Sequence, residues 1–335
     1  MTPVGRRVVV SGGAGFVGGH LVEHLLACRD VSELRVLDSL ETGSTENLAG
    51  IDDPRLVVTI GSVLDRSTLD DVIIGADVVF HLACLGLRHS LHAPVDNFRV
   101  NAEGTLNVAL AVAAGGVDRL VHVSSSEVFG SAEYAPMDES HPTQPTTVYG
   151  AAKLAGEAAV RAVASTTGIR AVIARPFNMY GPRSHAAGDA GEVIPRTIVR
   201  ARRGLPPIIY GDGEQTRDFV HVRDAVAALG SLAECDAAIG RAVNIGSGRE
   251  ITMNALCAAI ASGTGHPELV VEHQPDRPAD VRRLVADHTL ATALVGFRPT
   301  IPFEEGLADT IAWFADDASP LVDVPSRNWE HRNRV

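Results

Sequence analysis

The chain has 335 residues, 45% of them hydrophobic and 21% charged, enough for one large α/β unit or two lobes with an ample core. Its formal net charge of −12 argues against a nucleic-acid-binding or membrane-surface protein, so any phosphate-bearing partner has to meet a local cluster of arginines. Cys28, Cys84, Cys235 and Cys257 lack C-x-x-C spacing, and neither they nor His89, His92, His185 and His221 form a standard metal set, so no metal is expected.

In chain order, a β-branched run over 7–11 reads as a buried strand. Gly12, Gly13, Gly15 and Gly18 follow it and open a helix over 16–27, and a second strand over 33–37 ends at Asp38, twenty residues past Gly18. Strand, glycine turn, helix, strand and acid at this spacing make a dinucleotide site. The glycines let the backbone approach a pyrophosphate, the helix N-terminus points its amides at it, and the acid accepts from the adenosine ribose. A carboxylate there repels a 2′-phosphate, so the expected cofactor is NAD rather than NADP.

A polar loop over 39–49 leads to a strand over 55–60, then a short helix over 68–74 that Ser67 is expected to cap. A strand over 77–82, a long helix over 96–114 and a strand over 119–123 follow, then a helix over 147–166 and a strand over 171–174. This alternation predicts an α/β fold, a Rossmann-type doubly wound parallel sheet. Beyond it, loops rich in Gly, Pro and His alternate with helices over 193–203 and 224–233, which suggests a smaller C-terminal substrate-binding lobe. The expected division is a dinucleotide domain over 1–175, a substrate lobe over 176–318 and a tail over 319–335, interleaved because a strand over 242–245 returns to the sheet. No signal peptide is expected, and the apolar run over 105–117 is too short to span a membrane, so the expected location is cytoplasmic.

The strongest chemical signal is Tyr149-Gly-Ala-Ala-Lys153, whose i, i+4 spacing puts phenol and ammonium on one helix face. Bringing a phenol from a pKa near 10 to about 7 takes roughly 4 kcal/mol, which an ammonium and an oxidised nicotinamide could supply together. Upstream, Ser124-Ser125-Ser126-Glu127 ends a central strand where open α/β sheets place ligands, and Ser125 is the serine expected to share a substrate proton with Tyr149.

These residues resemble the extended short-chain dehydrogenase/reductases, specifically the NAD-dependent epimerases and dehydratases of nucleotide sugars. The matching stretches are GGAGFVG at 12–18, Asp38, HLAC at 81–84, Asn101, VSSSEVFG at 123–130, YGAAK at 149–153, RPFNMYGP at 175–182, GDGEQTRDFVHVRD at 211–224 and RPAD at 277–280. The resemblance implies Ser125, Tyr149 and Lys153 as catalytic residues, with Ser126 and Glu127 as auxiliaries. It implies an NAD site of Gly12, Gly15, Phe16, Val17, Gly18, Asp38, Ser62, Val63, Leu82, Ala83, Asn101, Ser124, Tyr149, Lys153 and Pro176. Asn178, Val193, Tyr210, Arg217 and Arg277 would hold the substrate's diphosphate and sugar, and Arg88 and Arg183 could face a sugar carboxylate.

Two departures stand out. Ser62 occupies a position where the family commonly has Asp. Ser126 replaces the Asp that 4,6-dehydratases place before Glu127, which weighs against dehydration. The resemblance therefore favours a 4-epimerase acting through a 4-keto intermediate, on a UDP-glucose, UDP-galactose or UDP-glucuronate type of substrate. A UDP-glucuronate decarboxylase ranks second and a dehydratase third; a non-catalytic NAD sensor is disfavoured by the intact Tyr149 and Lys153. The apolar helices over 96–114 and 151–164 are candidate faces of a homodimer.

Overall fold

In the computed structural model, residues 5–186, 188, 190–276 and 280–316 are described. β1 (Arg6–Ser11), α1 (Phe16–Ala27), β2 (Val31–Asp38), β3 (Leu56–Ile60), α2 (Arg66–Ile73) and β4 (Val78–His81) form the first half of the sheet with its crossovers. The short helices α3 (Leu87–His92) and α4 (Pro94–Phe98) lead into α5 (Gly104–Gly115), then β5 (Arg119–Val123), α6 (Val148–Thr167) and β6 (Arg170–Pro176). β7 (Asn178–Tyr180), α7 (Val193–Arg202), β8 (Ile208–Tyr210), β9 (Thr216–His221) and α8 (Val222–Glu234) come next. The chain then runs through β10 (Ala242–Ile245), β11 (Glu250–Thr252), α9 (Met253–Gly263), β12 (Glu272–Gln274), α10 (Thr289–Val295) and α11 (Phe303–Asp316).

Seven parallel strands make the main sheet in the order β10-β6-β5-β4-β1-β2-β3. The order reverses between β1 and β4, so the loops after these neighbours diverge and leave a crevice at their carboxyl ends. Because helices cover both faces of the central strands, the successive residues Val8, Val9 and Val10 of β1 are all buried but feed different cores. Val8 and Val10 pack with α1 and α8, while Val9 packs with α2, α5 and α6. A third core joins α7, α9 and α11 to β9, with Tyr180, Phe219, Leu256 and Phe303 at its centre, and roofs the carboxyl edge of the sheet.

Three local expectations are corrected. The residue that caps α2 is Asp65, not Ser67: its carboxylate accepts from Ser67 N at 3.2 Å and Thr68 N at 3.4 Å. The helix expected over 96–114 is two helices joined by a wide π turn, Arg99–Glu103, where Thr105 Oγ1 donates to Asn101 O at 2.6 Å and competes for the backbone. The loop expected between the helices over 193–203 and 224–233 contains β8 and β9, short strands whose pairing partners β12 and β11 lie far along the chain. The expected tail over 319–335 lies outside the described residues. Among the described residues all four cysteines are free thiols, no cluster could hold a metal, and no helix is long and apolar enough to cross a membrane.

Candidate active site

A cleft of about 470 Å³ runs from the glycine turn, past the ends of β4 and β5, to the roof formed by α7, β8 and β9. At its first end the chain leaves β1 through Gly12, whose φ of +77° suits glycine and whose Cβ would lie 2.6 Å from Ala83 N. The glycine turn therefore abuts the loop after β4 across the switch point. Gly15 opens on the cleft and caps α1 with no side-chain partner. A Cβ there would press on Gly12 O at 3.3 Å, a tight contact with backbone that glycine avoids. An uncapped helix N-terminus facing a cavity, approached over bare backbone, fits a diphosphate. Phe16, Val17 and Gly18 of the same turn also line the cleft.

Asp38 ends β2 beside this turn. Its carboxylate accepts from Ala14 N and from Leu40 N, both at 2.9 Å, and it lines the cleft with capacity left for ribose hydroxyls. Ser62, Val63, Leu82, Ala83, Ser124 and Pro176 line the same space. Asn101 does not. It is fully buried, accepting from Leu85 N at 3.0 Å and donating to Leu85 O at 2.8 Å, so it shapes the loop after β4 rather than meeting a ligand itself.

At the middle of the cleft, Ser124, Ser125, Ser126 and Glu127 follow β5. Ser125 Oγ accepts from Glu127 N at 3.2 Å and caps the 3-10 turn Ser126–Val128. α6 starts with Thr147 as cap, accepting from Gly150 N at 3.1 Å. A Cβ on Gly150 would lie 2.5 Å from Glu127 O, so α6 presses on the serine turn and brings Tyr149 to the same cleft as Ser125.

Lys153 sits behind this pair, outside the cleft lining, buried and donating to Val123 O at 2.9 Å. Burial pushes the Tyr149 hydroxyl above its usual range, Cys84, Glu127 and Glu192 push the same way, and the bond with Ser125 pulls it down. Burial also lowers Lys153. The chain's own groups thus leave the phenol raised, in keeping with the expectation that the ammonium and an oxidised nicotinamide must act together to lower it.

At the far end Arg88, Asn178, Val193, Tyr210 and Arg217 line the cleft. Asn178 Nδ2 donates to Asp218 O at 3.2 Å. Arg217 is held in the wall by Asp280 at 2.7 Å and by the carbonyls of Thr216 and Val281. Arg183 is a correction. Its guanidinium turns away from the cleft to bind Glu23 at 2.7 and 2.9 Å and Asn47 O at 2.9 Å, and so it ties the chain after β7 to α1. Arg277 lies outside the described residues.

Two cleft residues that the motifs did not mark are Arg196 and Arg200, a helical turn apart on α7, both lowered by burial. Their i, i+4 spacing just after Val193 was the available signal. Glu192, which precedes α7, and Cys84 also line the cleft.

A family model described as GDP-mannose 4,6 dehydratase matches residues 9–310. A UDP-glucose 4-epimerase of Mycolicibacterium smegmatis is 33% identical over 92% of this chain and 98% of its own length. UDP-glucuronic acid decarboxylase 1 of Arabidopsis thaliana is 33% identical over 92% of this chain and 69% of its own. The crystal structure of DesIV, a dTDP-glucose 4,6-dehydratase of Streptomyces venezuelae with NAD bound, superposes with a TM-score of 0.89 at 32% identity, covering 93% of this chain and 97% of that one. With the fold, the uncapped glycine turn and the Ser125–Tyr149 hydroxyls, these likenesses make the chain a member of the GDP-mannose 4,6-dehydratase family of extended short-chain dehydrogenase/reductases, NAD-dependent enzymes of nucleotide sugars.

Proposed function

We propose that this enzyme is a nucleotide-sugar 4-epimerase, of the UDP-glucose/galactose or UDP-glucuronate type, working through a 4-keto sugar. The observation that carries the reading is the pair of Ser125 and Tyr149 side chains lining the same cleft, with Ser126 and Glu127 following Ser125 instead of two acids. When bound, NAD supplies the reversible acceptance of hydride from the sugar's C4. Everything else falls to the chain. The amides around Gly12, Gly15, Phe16, Val17 and Gly18 would hold the cofactor diphosphate, and Asp38 its adenosine ribose. Ser62 and Val63 would flank the adenine, and Leu82, Ala83, Ser124 and Pro176 the nicotinamide half.

Tyr149 takes the proton of the 4-hydroxyl, and Ser125 Oγ holds that oxygen in place. Lys153, fixed on Val123 O, adds positive charge behind the phenol. Arg217, Arg196 and Arg200 would neutralise the substrate diphosphate, with Asn178, Val193 and Tyr210 completing the wall. Returning the proton from Tyr149 after the sugar has turned over finishes an epimerisation, with no further acid or base. That economy fits a site with one carboxylate after the serines.

A second reading, decarboxylation of a UDP-uronate, is favoured by Glu127 and Arg88 both lining the cleft and by the decarboxylase relative. Incubation with NAD+ and a panel of UDP-, dTDP-, GDP- and CDP-sugars, followed by mass spectrometry and NMR, separates the readings. An epimer of unchanged mass is expected; loss of carbon dioxide or of water would overturn the epimerase. Glu127→Gln should leave an epimerase within about threefold of its rate and cripple either alternative.

A further inference from the structure

We propose that Glu157 is a positioning residue for the reaction, its buried carboxylate tying the helix that carries Tyr149 and Lys153 to the strand ends that carry Ser125 and Pro176. The proposal rests on the roles given above to Ser125, Tyr149 and Lys153. Glu157 lies on α6, one helical turn past Lys153 and two past Tyr149, and is 0% exposed. Oε1 accepts from Ser124 Oγ at 2.7 Å and from Arg175 Nε at 2.8 Å, and Oε2 accepts from Arg175 Nη2 at 2.7 Å and from Arg161 Nη1 at 3.2 Å. Ser124 immediately precedes Ser125, and Arg175 immediately precedes Pro176. Arg175 is itself buried, with its guanidinium 4.9 Å from the centre of the Phe129 ring. One carboxylate thus touches both strand ends that border the middle of the cleft.

Replacing a buried ion pair by apolar groups is often neutral for stability, so a fold alone does not call for this one. What a bidentate fork adds is direction, because Arg175 and Ser124 can satisfy both oxygens only in one register of α6 against β5 and β6. Misplacing a reacting group by about 1 Å costs about a hundredfold in rate.

The same charge also acts on Lys153. The groups facing that ammonium are His81 of β4, Cys84 after it, His122 of β5, and Glu157 on its own helix. Burial drives both histidines far below their usual value, so they are neutral near pH 7, and burial lowers Lys153 too. Cys84 and Glu157 oppose that lowering. Burial acts to raise Glu157, but Arg175, Ser124 and Arg161 outweigh it and keep the carboxylate ionised. Without the Glu157 charge, Lys153 loses its proton at lower pH.

The test compares Glu157→Gln and Glu157→Asp with the unaltered enzyme, with NAD, on whichever nucleotide sugar is turned over. Thermal midpoint, NAD affinity, KM and the pH profile of kcat are read. Glu157→Gln is expected to keep the KM and the Kd for NAD within about threefold, lose about tenfold or more in kcat, and move the basic limb of the profile to lower pH. Glu157→Asp, which keeps the charge, is expected to return the limb to its original place. An unmoved limb in Glu157→Gln, or kcat loss no greater than the loss of folded protein, overturns the proposal. If Glu157→Gln does not fold, Ser124→Ala removes one arm and leaves the ion pair; lower kcat with an unmoved limb is expected, and full kcat overturns the proposal. Tyr149→Phe run alongside separates the two levels: if it retains turnover, the role of Tyr149 falls and this proposal with it, whereas an inactive Tyr149→Phe beside an unimpaired Glu157→Gln overturns the positioning role alone.

Discussion

Changing Asp38 to Asn tests the cofactor half of the cleft with the least disturbance of shape. The carboxylate is 7% exposed, and each oxygen accepts a backbone amide at 2.9 Å, Ala14 N on one and Leu40 N on the other. An amide side chain offers one acceptor oxygen and one donor nitrogen, so one of those two N–H groups must face a donor. Losing a bond to a charged acceptor in such a place costs ~1.5–3 kcal/mol, which is about ten- to a hundredfold in an equilibrium constant. Ala14 belongs to the glycine turn, so the penalty is felt where the diphosphate would bind. The lost negative charge also removes the repulsion of a 2′-phosphate. Isothermal titration of the purified variant should therefore show the Kd for NAD raised by about tenfold to a hundredfold and the Kd for NADP unchanged or improved. A ratio of the two constants equal to that of the unaltered protein would refute the ribose assignment of Asp38.

Tyr149→Phe is expected to keep NAD affinity and to lose nearly all turnover, since Ser125 then has no partner able to take the substrate proton; full activity would end that assignment. Burial holds the His20 imidazole at about 4 instead of 6.5, and His81 and His122 are driven down by the same cause. Between those two values the unfolded chain binds protons that the folded chain refuses, so stability falls as pH drops through this window, by about 3 kcal/mol for His20 alone. Thermal midpoints followed from neutral pH down to about 4 should decline, and less steeply in His20→Gln; equal slopes would show that His20 is not shielded. We also propose a homodimer through α4, α5 and α6, where Val95, Phe98, Leu106, Leu110 and Val148 are exposed. Sedimentation should give a dimer that Leu106→Glu with Leu110→Glu splits, and a monomeric unaltered protein would remove the proposal.

Much of the dinucleotide half was legible because its signals are local. A β-branched run, glycines at fixed spacing and an acid at a strand end each act within a few residues of themselves, and the helix over 16–27 and the strands over 119–123 and 242–245 stand where the pattern placed them. The roof was harder. β8 and β12 are three-residue strands that exist only as each other's partner, and β9 pairs with β7 and β11, so no local run announces them. Arg183 misled for a related reason. It stands in a motif beside the cleft, but its direction is decided by Glu23, 160 positions away.

The order of residues alone determined the α/β sheet, the glycine turn with its acid, and the placing of Ser125 at a strand end and of Tyr149 and Lys153 a turn apart on one helix, because each depends on spacing along a strand or helix. Tertiary structure alone decided which polar groups face the cavity and which are consumed in holding it. Asn101 went to Leu85, Arg183 to Glu23 and Glu157 to Ser124 and Arg175, while Arg196 and Arg200 came to line the cleft. The physical reason is that a buried charge or amide must find its partner wherever the fold brings one, and that partner is set by packing between distant segments.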